Sequence, residues 1–160
     1  MVTYGNKKSY NMSVEPSLET IYNMWERDAT VSVGDLATAS MSTASLHHKY
    51  AKMLSGCKML LRSRELKFKE LYRDKWEWAT GSIDRETLDR HGWEPLRKKI
   101  LRSDVDVYLD ADSDLQAHQL RLSEAKERVE ALESIIRMIN GRAFQIKNAI
   151  DYHKFMAGGQ

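Results

Sequence analysis

The stretch Leu115–Ile150, LQAHQLRLSEAKERVEALESIIRMINGRAFQIKNAI, decides the fold. Leu115, Leu122, Val129, Ile136, Ala143 and Ile150 form one row of period seven. Ala125, Leu132, Ile139 and Ile146 form a second row, three residues on from the first. Two such rows place a continuous apolar seam along one side of a helix. A helix of this kind cannot bury its seam alone, and the simplest supply of partners is further copies of the chain. Leu122, Val129, Leu132, Ile136, Ile139, Ile146 and Ile150 are therefore the expected oligomerisation residues. Mixed Leu, Val, Ile and Ala at both rows select no single subunit number.

Working outward, Asp112 or Ser113 is placed to cap this helix, which would run about 65 Å. A second helix of matched length is expected from Leu36 to about Trp78, a span interrupted by one glycine, Gly56. Val31 to Asp35 reads as a break, with Gly34 as breaker and Asp35 as N-cap. Leu18, Ile21, Tyr22 and Trp25 give a short amphipathic helix before it. Gly81 to Pro95 is a polar connector with a helical turn near Arg85 to Arg90. Between 96 and 109 the signals divide: Leu96 to Leu101 suits a short helix, whereas Val105, Val107 and Leu109 alternate like a strand. The expected fold is all-α: two long helices in a hairpin with short accessory helices, oligomerised along the C-terminal heptad seam. Residues 1–17 read as a mobile tail and residues 18–160 as a single helical domain that oligomerises.

Composition narrows the function. With 25 Lys plus Arg against 23 Asp plus Glu among 160 residues, the formal charge is +2, which excludes a polybasic coat and leaves local clusters open. One cysteine, Cys57, lies among Met53, Leu54, Leu60 and Leu61 and reads as a buried reduced thiol in a cytosolic protein. No apolar run approaches the roughly 18 residues of a membrane span, and MVTYGNKKSYNMS lacks a signal-peptide core. A soluble intracellular protein without membrane attachment is expected.

No catalytic or metal constellation emerges. Asp110, Asp112 and Asp114 have the alternate spacing of a calcium loop, but Leu115 stands where its glycine belongs and Arg121 where its bidentate glutamate belongs. Helix capping accounts for these aspartates better. His47 and His48 diverge on a helix, and His118 and His153 are far apart on the seam; paired cysteines and HExxH are missing. Ser55 to Lys58 fits S-x-x-K with no other part of such a site, and no glycine-rich phosphate loop follows a strand. Neither an enzyme nor a cofactor is expected.

The informative polar region is the second half of the first long helix. Lys58, Arg62, Lys69 and Arg73 are spaced four, seven and four apart and share one face. Arg64, Lys67 and Lys75 add positive charge, opposed by Glu65, Glu70, Asp74 and Glu77. The stripe ends in Lys75-Trp76-Glu77-Trp78. Cations that track a phosphate backbone beside rings that stack on bases suit single-stranded nucleic acid, at about 1–3 kcal/mol per stacked base. The alternative is a solvated charged face with tryptophans in the core. Arg97, Lys98, Lys99 and Arg102 form a second basic cluster that would extend the surface.

Short motifs place these residues in a family. Gly141-Arg142-Ala143-Phe144-Gln145-Ile146-Lys147, followed by Phe155-Met156-Ala157-Gly158, resembles the ending Arg-Gly-Phe-Ala-Ile-Lys … Phe-x-Ala-Gly of the UvsY family, recombination mediators of large tailed phages. Asp112-Ser113-Asp114-Leu115-Gln116 is similar to that family's Asp-Thr-Ser-Leu-Gln. Arg73-Asp74-Lys75-Trp76, then Glu77-Trp78-Ala79-Thr80-Gly81, stands where the family carries its DNA-binding Lys-Ala-Arg-Leu before Asp-Tyr-Tyr-Ser-Gly. Asp74 replaces the alanine, and part of the 81–95 connector is additional. The resemblance spans residues 18–80 and 97–158. It implies a helical, non-enzymatic mediator that assembles as a hexameric or heptameric ring in the cytoplasm of the infected bacterium. Such a mediator binds single-stranded DNA and helps load a RecA-like recombinase in place of the phage single-strand-binding protein. Lys58, Arg62, Lys67, Lys69, Arg73 and Lys75 would then contact phosphate, with Trp76 and Trp78 stacking or supporting. The competing expectation is a coiled-coil scaffold or assembly adaptor that ignores DNA.

Overall fold

The computed structural model describes residues 15–98 and 100–158, so most of the expected N-terminal tail lies outside the described residues. Those residues form five α-helices and one 3-10 turn, and no strand. α1 is Leu18–Ala29, α2 Leu36–Thr80, α3 Arg85–His91, α4 Val105–Asp110 and α5 Ser113–Met156, with the 3-10 turn at Val33–Asp35. No helix is long and apolar enough to cross a membrane.

The helix ends follow from local chemistry. Ser17 Oγ accepts from Thr20 N at the start of α1. Asp112 Oδ1 accepts from the amides of Asp114 and Leu115, both at 3.0 Å, and so caps α5. Asp35 occupies the N-cap position of α2 without a capping side-chain bond. Gly81, at φ 70°, ends α2 in a left-handed cap that an L side chain would strain. α4 occupies the stretch whose alternation also read as a strand. Val105 and Leu109, one turn apart, are buried together while Val107 is exposed, so the helical period prevails. The short helix expected from Leu96 to Leu101 does not form. Past Pro95 the chain runs irregularly, and Ile100 N donates to Ala79 O at 3.2 Å, tying the segment to the end of α2.

α2 and α5 are each about 66 Å long and pack antiparallel. Lys58 meets Glu133 near the middle, and Lys75 meets Asp112 near the turn. The main core holds Tyr50 and Cys57 of α2 against Val129, Leu132, Ile135 and Ile139 of α5, with Ile21 from α1. A smaller core near the turn collects Ala79, Val105, Leu109 and Leu115 beneath Phe68, Leu71 and Trp76.

The heptad seam thus meets its first partner within the same chain. Leu122, Val129, Leu132, Ile139 and Ile146, expected to serve contacts between copies, are buried within the isolated subunit. Ile136 and Ile150 are half-buried and Ala143 is exposed. The reason is α1, which packs along the C-terminal half of α5 and covers a flank offset from the rows. Ile135 and Arg142, about 100° round the helix from Ile136, are buried there, and Arg142 donates to the carbonyl of Asp28 at 3.1 Å. Within α1, Ile21 and Met24 face inward while Tyr22 is exposed, a shift from the face the sequence marked.

Leu132 has no exposed surface and sits between both long helices. Leu132→Ala should cost about 2–5 kcal/mol through lost transfer energy and an unfilled cavity. Urea unfolding followed by circular dichroism would measure it, and a change below about 1 kcal/mol would show that this core repacks freely.

Candidate nucleic-acid interface

At 100° per residue, Lys58, Arg62, Lys69 and Arg73 lie within about 60° of one another on α2, turned well away from the core-facing side. All four are exposed. Among the described residues, Arg62 and Lys69 make no salt bridge, whereas Lys58 pairs with Glu133 at 2.6 Å and Arg73 with Asp74 at 2.7 Å. Exposed Met59 and Leu66 flank the stripe, with Leu54 and Ala51 in the shallow groove beside Lys58 and Arg62. Lys67 is exposed but lies about 150° round α2 from the stripe. Arg97, Lys98 and Arg102 are exposed in the irregular connector segment, while the side chain of Lys99 lies outside the described residues.

Lys75 is arranged differently from the other cations. It is 6 % exposed, and its ammonium donates to Asp112 at 2.7 Å and Asp114 at 2.8 Å. It also lies over the rings of Trp93 and Trp78, at 4.5 and 5.6 Å from their centres. Burial pushes the Lys75 ammonium down, but the hydrogen bonds it donates to the two aspartates outweigh this and hold it above its ordinary value. Asp112 is the counterpart: burial pushes its carboxyl up, while Lys75 and the amides of the α5 N-terminus bring it below the usual range. Lys75 fastens α2 to the start of α5 and presents no cation to solvent.

Asp74 points the other way, into the connector, and is 1 % exposed. It accepts from His91 at 2.9 Å and from Arg73, with Arg90 at 3.9 Å. His91 stacks on Trp93, ring centres 4.1 Å apart at 12°. Trp93 in turn meets Trp78, whose indole donates to Glu94 O at 2.8 Å. Trp76 packs partly buried on the smaller core. Both expected stacking residues therefore brace the hairpin turn. Through His91 the Asp74 carboxylate anchors the connector to α2. His91 and Trp93 were not singled out from the sequence, where the signal was a compact His-Gly-Trp beside a proline.

Burial pushes the Asp74 carboxyl up, yet hydrogen bonds from His91 and Arg73 hold it below the usual 3.8. A carboxyl lowered on folding adds stability that is complete above its unfolded value and is lost as pH falls through the folded one. Asp74→Ala should cost about 1–3 kcal/mol at neutral pH, because it removes the buried acceptor of His91 and Arg73 and frees the connector from α2. The loss of stability below about pH 4 should also become shallower in this variant. Thermal melts from pH 7 to 3 test both, and parallel acid limbs in wild type and variant would remove Asp74 from the linkage.

Comparison with known proteins agrees with this architecture. The model of the family described as "Recombination, repair and ssDNA binding protein UvsY" matches residues 24–159. Crystal structures of the bacteriophage T4 recombination mediator protein UvsY superpose with a TM-score of 0.76 in one lattice type, at 19 % identity over 88 % of this chain and 97 % of that one. A second lattice type gives 0.74, at 18 % identity over 85 % of this chain and 98 % of that one. At this identity the likeness establishes the fold. No curated protein matches by sequence.

Proposed function

This chain belongs to the UvsY family, and from that premise we propose that it is a non-enzymatic recombination mediator that binds single-stranded DNA on the outer face of α2. The observation that carries the reading is the exposed stripe on a helix whose opposite side is locked in the hairpin. Lys58, Arg62, Lys69 and Arg73 would follow phosphates, with Arg97, Lys98 and Arg102 continuing the charge near the hairpin turn. Lys67 would contact a strand only where it wraps round α2. Lys75, Trp76 and Trp78 would act indirectly, by holding the turn that presents Arg73. With Lys75 enclosed, the contact with DNA depends on fewer cations per subunit than the sequence promised.

Few cations per subunit bind weakly, so assembly matters. Phe144 and Phe155 are 73 % and 75 % exposed and lie within about 20° of one another on α5. Leu120 and Met138 are also exposed on that helix. Such surface supports association between copies, and a hexameric or heptameric ring would repeat the stripe. Linked weak sites gain about 10²–10⁴ in avidity where one strand reaches several of them. A strand held along such a ring would be drawn from the phage single-strand-binding protein and offered to a RecA-like recombinase in the host cytoplasm.

Fluorescence anisotropy of a labelled single-stranded oligonucleotide across a salt series tests the reading. The wild type should prefer single strands to duplex. Arg62→Ala with Lys69→Ala should weaken binding and reduce the log–log salt slope by about 1.4, two contacts at about 0.7 each, without lowering the melting temperature. A wild type that ignores DNA at low salt would turn the assignment to a scaffold. In sedimentation, Phe144→Ser with Phe155→Ser should shift the assembly toward the monomer, and an unchanged mass would place the subunit contact elsewhere.

A further inference from the structure

Glu15, immediately before Pro16, lies in the cleft between the two long helices. Its Oε1 accepts from Arg128 of α5 at 2.6 Å, and its Oε2 pairs with Arg64 of α2. The two arginines therefore converge on one carboxylate from opposite walls of the cleft. Arg64 also donates to the carbonyl of Arg121, and Arg128 has a longer contact to Glu124 at 3.6 Å. The Arg128 side chain is only 14 % exposed, and its Nε is buried with no hydrogen-bond partner among the described residues. Exposed Lys67 and Arg121 lie on the same flank, about 60° and 20° round their helices from Arg64 and Arg128.

Resting on the DNA-binding reading, we propose that Arg64 and Arg128 form a phosphate site on the DNA path. Glu15 holds this site closed until a backbone phosphate replaces it. A guanidinium fork fits carboxylate and phosphate oxygens in the same geometry. The carboxylate has two oxygens, and each already serves one guanidinium, which leaves the Arg128 Nε unmet. A phosphate offers further acceptor oxygens for such a donor. A buried donor without a partner carries a desolvation penalty, so the present occupant satisfies the site incompletely. Replacement also disturbs little. Glu15 precedes the helix, and Ser17 caps α1 through Thr20 without it. The site differs from the α2 stripe in position, since Arg64 lies about 150° round the helix from it. A strand engaging both would cross α2 rather than run along it.

The test uses the full chain and two probes, inorganic pyrophosphate and a single-stranded oligonucleotide. Glu15→Gln keeps the shape and removes the charge. Pyrophosphate at constant ionic strength should raise the melting temperature of Glu15→Gln more than that of wild type, and Arg128→Ala added to Glu15→Gln should abolish the gain. In anisotropy, Glu15→Gln should bind the oligonucleotide more tightly, with a salt slope steeper by about 0.7 for one added contact. Equal pyrophosphate shifts in wild type and Glu15→Gln would overturn the anion site and leave Glu15 a structural clamp. A pyrophosphate gain with unchanged DNA affinity and slope would overturn its place on the DNA path and assign it to a free phosphate compound. Should wild type and variant both ignore DNA, the mediator reading fails, while the pyrophosphate result still decides the anion site.

Discussion

The packing of α2 against α5 is the constraint on which every other feature depends. Two antiparallel helices of about 66 Å give only a narrow contact line, and Tyr50, Cys57, Leu132 and Ile139 fill its centre. Because those side chains face inward, the residues on the far side of α2 must face solvent. The basic stripe is exposed for that reason, and its direction is fixed by apolar contacts on the other side of the same helix. α1 completes the arrangement by covering one flank of α5 and seating Arg142 against its own final carbonyls.

Charge is divided by the fold into two roles. Arg62 and Lys69 are exposed and make no salt bridge among the described residues, so they can exchange counterions for phosphate. Lys75, Asp74, Asp112, Arg64, Arg128 and Glu15 are drawn into partly or wholly buried pairs that join elements distant in sequence. Buried pairs of this kind add little net stability, since desolvation offsets the Coulombic attraction. They fix geometry instead: the connector against α2, the start of α5 against the end of α2, and the chain before α1 against both long helices. The net charge of +2 conceals this division. Asp74, Asp112 and Glu15 are engaged within, whereas Arg62 and Lys69 face outward.

The aromatic residues show the same separation. His91 stacks on Trp93, Trp93 meets Trp78 at a tilt, and Lys75 lies over both tryptophans at the hairpin turn. Tryptophans interleaved with charge carry the same local pattern whether they stack on bases or brace a turn. The connector decides between the two, because it delivers Trp93 and His91 to the place where Trp78 lies. On α5 the reverse holds: Phe144 and Phe155 belong to no internal core and remain at the surface.

The sequence alone determined the two long helices, a cap at Asp112 or Ser113, the break before Leu36 and the turn at Arg85, because these rest on periodicity and local capping chemistry. It also determined family membership, through short motifs near the hairpin turn and the C-terminus. Tertiary structure decided which partner the heptad seam meets, because a row of apolar residues specifies burial without specifying whose surface covers it. It decided that Lys75 turns inward while Arg62 and Lys69 turn outward, since a cation's role depends on carboxylates that the fold brings from 37 or 39 positions away. It decided the Glu15 clamp as well. Contacts at separations of 49 and 113 residues leave no periodic or local trace in a single chain, so only the closed hairpin could reveal them.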